Sequence, residues 1–212
     1  MCWHSCKLNR PMTLQLNVWR CALALVLTSV CGTAGAGLQA EERLADSVRV
    51  LLRQAVSAGP PELRPFSSRD DEARFYNWRS IMSERIATHV PSEYQRLAIL
   101  NAVDYEARRA GLDPTLVLGV IYVESRFNPI ASSPVGARGL MQVMPFWAKA
   151  IGDGNAKSLY HMRINVRFGC VILRHYLDRE NGDVVRALAR YNGSLGRTDY
   201  AYSVLRASLK YR

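Results

Sequence analysis

Cysteine is almost absent from the part of this chain that can build a domain. Of the five cysteines in 212 residues, Cys2, Cys6, Cys21 and Cys31 precede residue 37 and Cys170 stands alone after it. Neither a disulfide framework nor a cysteine-based metal cluster is therefore available there. The sequence also lacks any alternating apolar–polar segment longer than a few residues, any internal repeat and any low-complexity tract, which leaves no basis for a sheet. Acidic runs are missing too, and 28 basic against 18 acidic residues give a formal charge of +10. A basic balance favours an anionic partner: nucleic acid, a phospholipid face or an acidic polymer of the cell envelope. No zinc-finger spacing, aromatic–glycine RNA-binding signature or continuous basic recognition helix accompanies the charge, so nucleic acid is set aside.

What is present begins with a leader. Lys7, Arg10 and Arg20 precede the apolar run Cys21–Val30, CALALVLTSV, which is too short to span a bilayer comfortably. Ala34, Gly35 and Ala36 fit an A-x-A cleavage site, so residues 1–36 read as a signal peptide cleaved after Ala36, and an initiator at Met12 would still leave that signal complete. A retained single-span anchor is the alternative. A lipoprotein is disfavoured, because Val30 stands before Cys31 where a small residue is expected. Removing the three basic residues of the leader leaves 25 basic against 18 acidic residues, a formal charge of +7.

From Gly37 onward the pattern is helix after helix, and the fold class is all-α. Leu44, Val48, Leu51, Leu52 and Ala55 recur at helical spacing until Gly59, Pro60 and Pro61 stop the element. The following PPELRPFSS should be an extended, exposed linker. Phe75, Trp78, Ile81, Met82 and Ile86 mark a second helix within Arg69–His89, and Pro91 with Ser92 restarts the chain as a third, to Arg109, closed by Gly111. Residues 37–90 thus form an N-terminal helical extension to a second region, 91–212. In the latter, Asn165–Gly169 open a long helix to Glu180, Gly169 permits close packing, and Cys170 on its apolar side is a buried, inert thiol.

The stretch that carries chemistry starts at Asp113, an N-cap, with Pro114 at the first helical position, where its missing N–H costs little. Val117, Val120, Ile121 and Glu124 are spaced i, i+3, i+4, i+7, so a carboxylate falls on the stripe that faces the core. Withdrawal from water raises a carboxyl pKa, which is what a general acid near neutral pH requires. A buried structural glutamate neutralised by Arg126 or Arg138 satisfies the same pattern, and this helix alone does not separate the two. The next segment is turn-rich, with Pro129, Ser132, Ser133, Pro134, Gly136 and Gly139, and it ends in Leu140, Met141 and Gln142 before Pro145 and Trp147. An amide, a thioether and an indole there suit the hydroxyl, acetamido and apolar faces of sugars. Taken singly, each of these residues is as readily explained by packing.

Three segments taken together are more specific. VESRFNP around Glu124 and Ser125, GARGLMQVMP from Gly136 to Pro145, and RYNGS from Arg190 to Ser194 resemble the successive motifs of the soluble lytic transglycosylase catalytic domain. The similarity covers about Tyr94–Tyr211. The resemblance implies a goose-type-lysozyme-like helical domain over residues 91–212. It also implies cleavage of the β-1,4 bond between N-acetylmuramic acid and N-acetylglucosamine in peptidoglycan, with a 1,6-anhydromuramyl end formed without water and without a cofactor or metal. The third motif usually reads A-Y-N, and Arg190 replaces its alanine here.

On the same resemblance, Glu124 acts as acid and then as base. Tyr191 orients its carboxyl, and Ser125, Gly139, Leu140, Met141, Gln142 and Asn192 bind substrate. Tyr200 and Tyr202 are weaker candidates for the cleft wall. An intramolecular attack needs one proton carrier where ordinary glycosidases need two carboxylates. None occurs from Ser125 through Gly152, and Asp153, Asp178, Asp183 and Asp199 read as caps or solvated charges. The expected setting is a periplasmic monomer acting on glycan strands, with peripheral envelope association through its basic charge. Two alternatives stay open: a hydrolytic muramidase on the same fold, and a non-catalytic wall-binding or assembly protein.

Overall fold

Local signals place eight helices among the described residues, and the third and the last of them pack against the one that carries Glu124. A computed structural model describes residues 39, 44–57 and 64–212; the leader and the Gly59–Pro61 breaker lie outside that set. The helices are α1 (Asp46–Ser57), α2 (Arg69–Arg85), α3 (Glu93–Arg109), α4 (Pro114–Ser125), α5 (Pro145–Ile151), α6 (Met162–Arg179), α7 (Val184–Asn192) and α8 (Asp199–Ser208). Among the described residues the only β pairing is two isolated bridges, so the all-α expectation holds.

The expected caps are in place. Ser68, Ser92, Asp113 and Asp183 each accept a backbone N–H in the first turn of α2, α3, α4 and α7, and Pro114 occupies the start of α4. Each such cap contributes about 1 kcal/mol. The long helix α6 begins at Met162, three residues before the predicted start, with His161 as its N-cap residue.

Helix α4 is the apolar centre. Val117, Leu118, Val120 and Ile121 are wholly buried, each contributing roughly 1.5–3 kcal/mol through the apolar surface it removes from water. It packs against α3 and, most extensively, α8. Gly119 makes that second approach feasible: a Cβ there would lie 2.8 Å from the Val204 carbonyl oxygen and 3.0 Å from Ser208.

The extension is tied to the rest by buried charges. Arg167 on α6 bonds Glu106 at 2.9 Å and the Val56 carbonyl at 3.0 Å, while Arg109 reaches Ala55 O; the last carbonyls of α1 thereby gain cationic donors. The exposed linker expected around PPELRPFSS needs correction at Arg64. Its guanidinium is clamped by both carboxylate oxygens of Asp71 at 2.8 Å and by Asp104 at 2.7 Å, so this end of the connection is pinned onto α2 and α3. Arg64 in turn holds the Asp71 carboxyl well below the usual carboxylate range.

Candidate active site

Helix α4 delivers Glu124 and then stops abruptly. Arg126 and Phe127 both adopt left-handed backbone, φ 53° and 66°, a conformation that costs a non-glycine residue about 1 kcal/mol or more. Packing holds it: Phe127 is buried, stacked on His89 with its ring edge to Tyr211. The sharp exit leaves the last turn of α4, with Glu124 and Ser125, facing the loop that follows.

That loop, which holds the second sequence motif, is stapled through its backbone by side chains of the first and third motifs and of α6. Arg138 pairs with Ser132 and with Val143, and Gly139 (φ 74°) turns the chain between them. Ser125 Oγ donates to the Leu140 carbonyl at 2.7 Å, the Tyr191 hydroxyl donates to the Met141 carbonyl at 2.7 Å, and the Met141 N–H donates to Asn165 Oδ1 at 2.7 Å. Asn165 Nδ2 also reaches the carbonyls of Arg138 and Leu159, both at 2.7 Å. Side chains from α4, α6 and α7 therefore converge on Leu140–Met141 and fix it beside Glu124.

Several side chains are not where the sequence suggested. The Tyr191 hydroxyl goes to Met141 and not to Glu124, because the Met141 carbonyl needs a donor once the loop is buried. Met141 turns inward: a Cβ on Gly169 would sit 2.3 Å from its sulfur, so that glycine makes room for the loop instead of another helix. Gln142, at φ 47° and buried, donates its amide to Ala131 O and Gly139 O, leaving it a brace of the loop. Leu140 and Asn192 are buried as well.

The partner of Glu124 is Tyr200, at the start of α8, whose hydroxyl donates to Oε1 at 2.5 Å. It lies beyond the third motif, among the weaker candidates for the cleft wall. A signal existed: Tyr200, Val204, Ala207 and Ser208 share one stripe of α8, and that stripe covers Gly119 on α4.

Among the described residues no cationic group acts on the Glu124 carboxyl. Arg138 extends to the Ala156 carbonyl and Arg126 lies 4.1 Å from the Tyr122 ring centroid, so the buried ion pair considered above does not form. Burial pushes the carboxyl up to about 8, and the hydrogen bond from Tyr200 pulls partly against that rise. Oε2 is buried with no hydrogen-bond partner among the described residues, a cost that a working acid explains better than a structural one. The four aspartates read as caps or solvated charges are so placed: Asp153 accepts from Asn155 N–H, Asp178 pairs with Arg174, Asp183 caps α7, and Asp199 meets Arg197 at the surface.

Substituting Tyr200→Phe should therefore move the Glu124 carboxyl further up, since the bond that favours its ionised form is gone. Carbon-13 NMR titration of the glutamate side chain reads this directly. A pKa that stays put or falls would contradict the assignment.

A single carboxyl, held neutral near pH 7 and framed by a stapled loop, is equipped to donate a proton and later recover one. Residues 101–206, which hold Glu124, the loop, Tyr191 and Tyr200, match the Transglycosylase SLT domain family. The chain belongs to that family. Within this SLT domain, the Arg190 that replaces the usual alanine is paired with Glu180, which also bonds Arg186. The substitution thus adds a tie between α7 and the end of α6 while leaving Tyr191 and Asn192 in register.

Relatives of the SLT domain include a transglycosylase of Enterobacteria phage PRD1, 46% identical over 89 residues, 42% of this chain and 32% of that protein. Membrane-bound lytic murein transglycosylase C of Glaesserella parasuis is 38% identical over 96 residues, 42% of this chain and 26% of its own. The matched segments span about a third or less of these relatives. A solved structure of an inactive mutant of lytic transglycosylase Slt from Pseudomonas aeruginosa aligns with 84% of this chain and 38% of its own, at 19% identity and a TM-score of 0.49.

Proposed function

We propose that this protein is an exported lytic transglycosylase that cleaves the MurNAc-β-1,4-GlcNAc bond of peptidoglycan and closes each cut as a 1,6-anhydromuramyl end. The observation that supports it most is Glu124 itself: one buried carboxyl pushed up to about 8, hydrogen-bonded by Tyr200, with no second carboxylate contributing to the rise. At neutral pH it holds the proton that the glycosidic oxygen must receive. Once ionised, it is positioned to accept the proton of the muramyl C6 hydroxyl as that oxygen attacks C1 of the same sugar.

In this reading Ser125, Gly139, Leu140, Met141, Gln142, Tyr191 and Asn192 form the site mainly as a rigid loop and its staples. The loop's remaining backbone groups, more than the Met141 and Gln142 side chains, meet the sugar. A hydrolytic muramidase would need a carboxylate to activate water, and each aspartate considered for that role is occupied elsewhere. A formal charge of +7 without the leader would hold the enzyme near anionic wall polymers as a peripheral envelope protein. Residues 37–90 act as a brace, through the contacts of Arg64, Arg109 and Arg167.

The test is digestion of purified sacculi by the exported protein. Released muropeptides should end in muramyl residues lighter by one water than hydrolysis products. Reducing muramyl ends would favour the hydrolase, and intact sacculi the non-catalytic wall protein.

A further inference from the structure

The edge of the stapled loop is already occupied by the chain's own Gln39. Val143 exchanges both backbone hydrogen bonds with Arg138, each 3.0 Å. In extended chain the flanking groups point the opposite way, so the Gln142 C=O and the Met144 N–H form an edge turned from the hairpin. Both are taken by one side chain: Met144 N–H donates to Gln39 Oε1 at 3.3 Å, and Gln39 Nε2 donates to the Gln142 carbonyl at 3.5 Å. Gln39 is 5% exposed although it comes from the other end of the sequence, and its amide lies near enough to the Tyr191 hydroxyl to oppose the rise that burial imposes there. A glutamine amide on a backbone donor and acceptor, beside Tyr191 and Met141, offers the N–H donor and C=O acceptor that the acetamido substituent of an N-acetylated sugar also carries, the trans acetamide engaging one of the two backbone groups at a time.

We propose that Gln39 is an internal competitor for substrate: its side-chain amide fills the Gln142–Met144 edge of the loop, and an N-acetyl amino sugar must displace it to bind. This rests on the reading of the site as a glycan site. Both bonds are long, so the occupancy is weak enough to yield. A ligand that must first displace a resident group loses apparent affinity in proportion to the fraction of protein in which the site is filled. Gln39 lies two residues beyond the expected mature start at Gly37, so cleavage after Ala36 retains it.

The test compares the exported protein with Gln39→Ala, the amino terminus of each being read by mass spectrometry, using tri-N-acetylchitotriose as the probe. Gln39→Ala should bind the trisaccharide about three- to tenfold more tightly, the range expected for removing one or two competing hydrogen bonds. Without sugar, the Met144 amide should exchange with deuterium faster in the variant, because its acceptor is gone. Equal or weaker binding by Gln39→Ala, an unchanged Met144 exchange rate, or an exported chain lacking Gln39 would each overturn the inference while leaving the site a glycan site. Absence of binding by both proteins would overturn the glycan reading and the inference with it.

Discussion

Replacing Glu124 with glutamine should reduce muropeptide release by about a thousandfold or more while raising the stability of the fold. The loss follows from asking one group to perform both proton transfers: a positioned acid or base contributes about 10²–10⁴ in rate, and glutamine can do neither. The gain in stability follows from burial. Folding lifts the Glu124 carboxyl from an ordinary 4.5 to about 8, so between those pH values the native state retains a proton that the unfolded chain releases. Wild-type stability therefore falls as pH rises through that window, by ~1.4 kcal/mol per pH unit at most. Glutamine keeps the acceptor for Tyr200 and has no proton to lose. Thermal unfolding of the two proteins should coincide near pH 4 and separate progressively toward pH 8, Glu124→Gln melting higher by an amount on the order of a few kcal/mol in stability. Undiminished release by folded Glu124→Gln would remove the mechanism. A variant no more stable than wild type at pH 8 would remove the burial argument.

Asn165→Ala should be the most damaging change outside the carboxyl itself. This side chain is wholly buried, accepts from Met141 N–H and donates to the carbonyls of Arg138 and Leu159, all at 2.7 Å. Truncation takes this partner from the Met141 N–H and the Leu159 carbonyl in a site too buried for easy solvation, while the Arg138 carbonyl keeps the Val143 N–H. The expected cost is about 2–4 kcal/mol, or a fall in melting temperature of roughly 5–15 °C for a chain of this size. Because Ser125 and Tyr191 still hold Leu140 and Met141 from other sides, the loop should loosen without detaching, and release should fall about tenfold or more in the protein that remains folded. Unfolding scans and release assays check both. A melting temperature within about a degree of wild type would show that Asn165 is not the central staple.

The sequence made the helical scaffold legible because its signals are local. Asp113 with Pro114, Ser92 and Gly193 announce helix ends through caps that depend on a few neighbouring residues, and the stripe Val117, Val120, Ile121, Glu124 announces the buried face by periodicity alone. Cys170 was readable for the same reason, and burial pushes its thiol well above the ordinary value. What depends on how distant elements meet was not legible. Tyr200 reaches Glu124 because Gly119 lets α8 approach α4. Tyr191 turns to Met141 because burying the loop leaves its carbonyl in need of a donor. Gln142 braces the loop for a similar reason. Arg64, read as part of an exposed linker, is fixed by carboxylates 7 and 40 residues away.

In the proposed reaction one carboxyl carries the proton both ways and no water enters the bond. Digesting sacculi with the exported protein in oxygen-18 water, followed by mass spectrometry of the released muropeptides, addresses it directly. New muramyl ends should carry no heavy oxygen and be lighter by one water than their hydrolysed counterparts. Heavy oxygen at C1 of those ends would contradict the mechanism and require a second, water-activating group in the cleft.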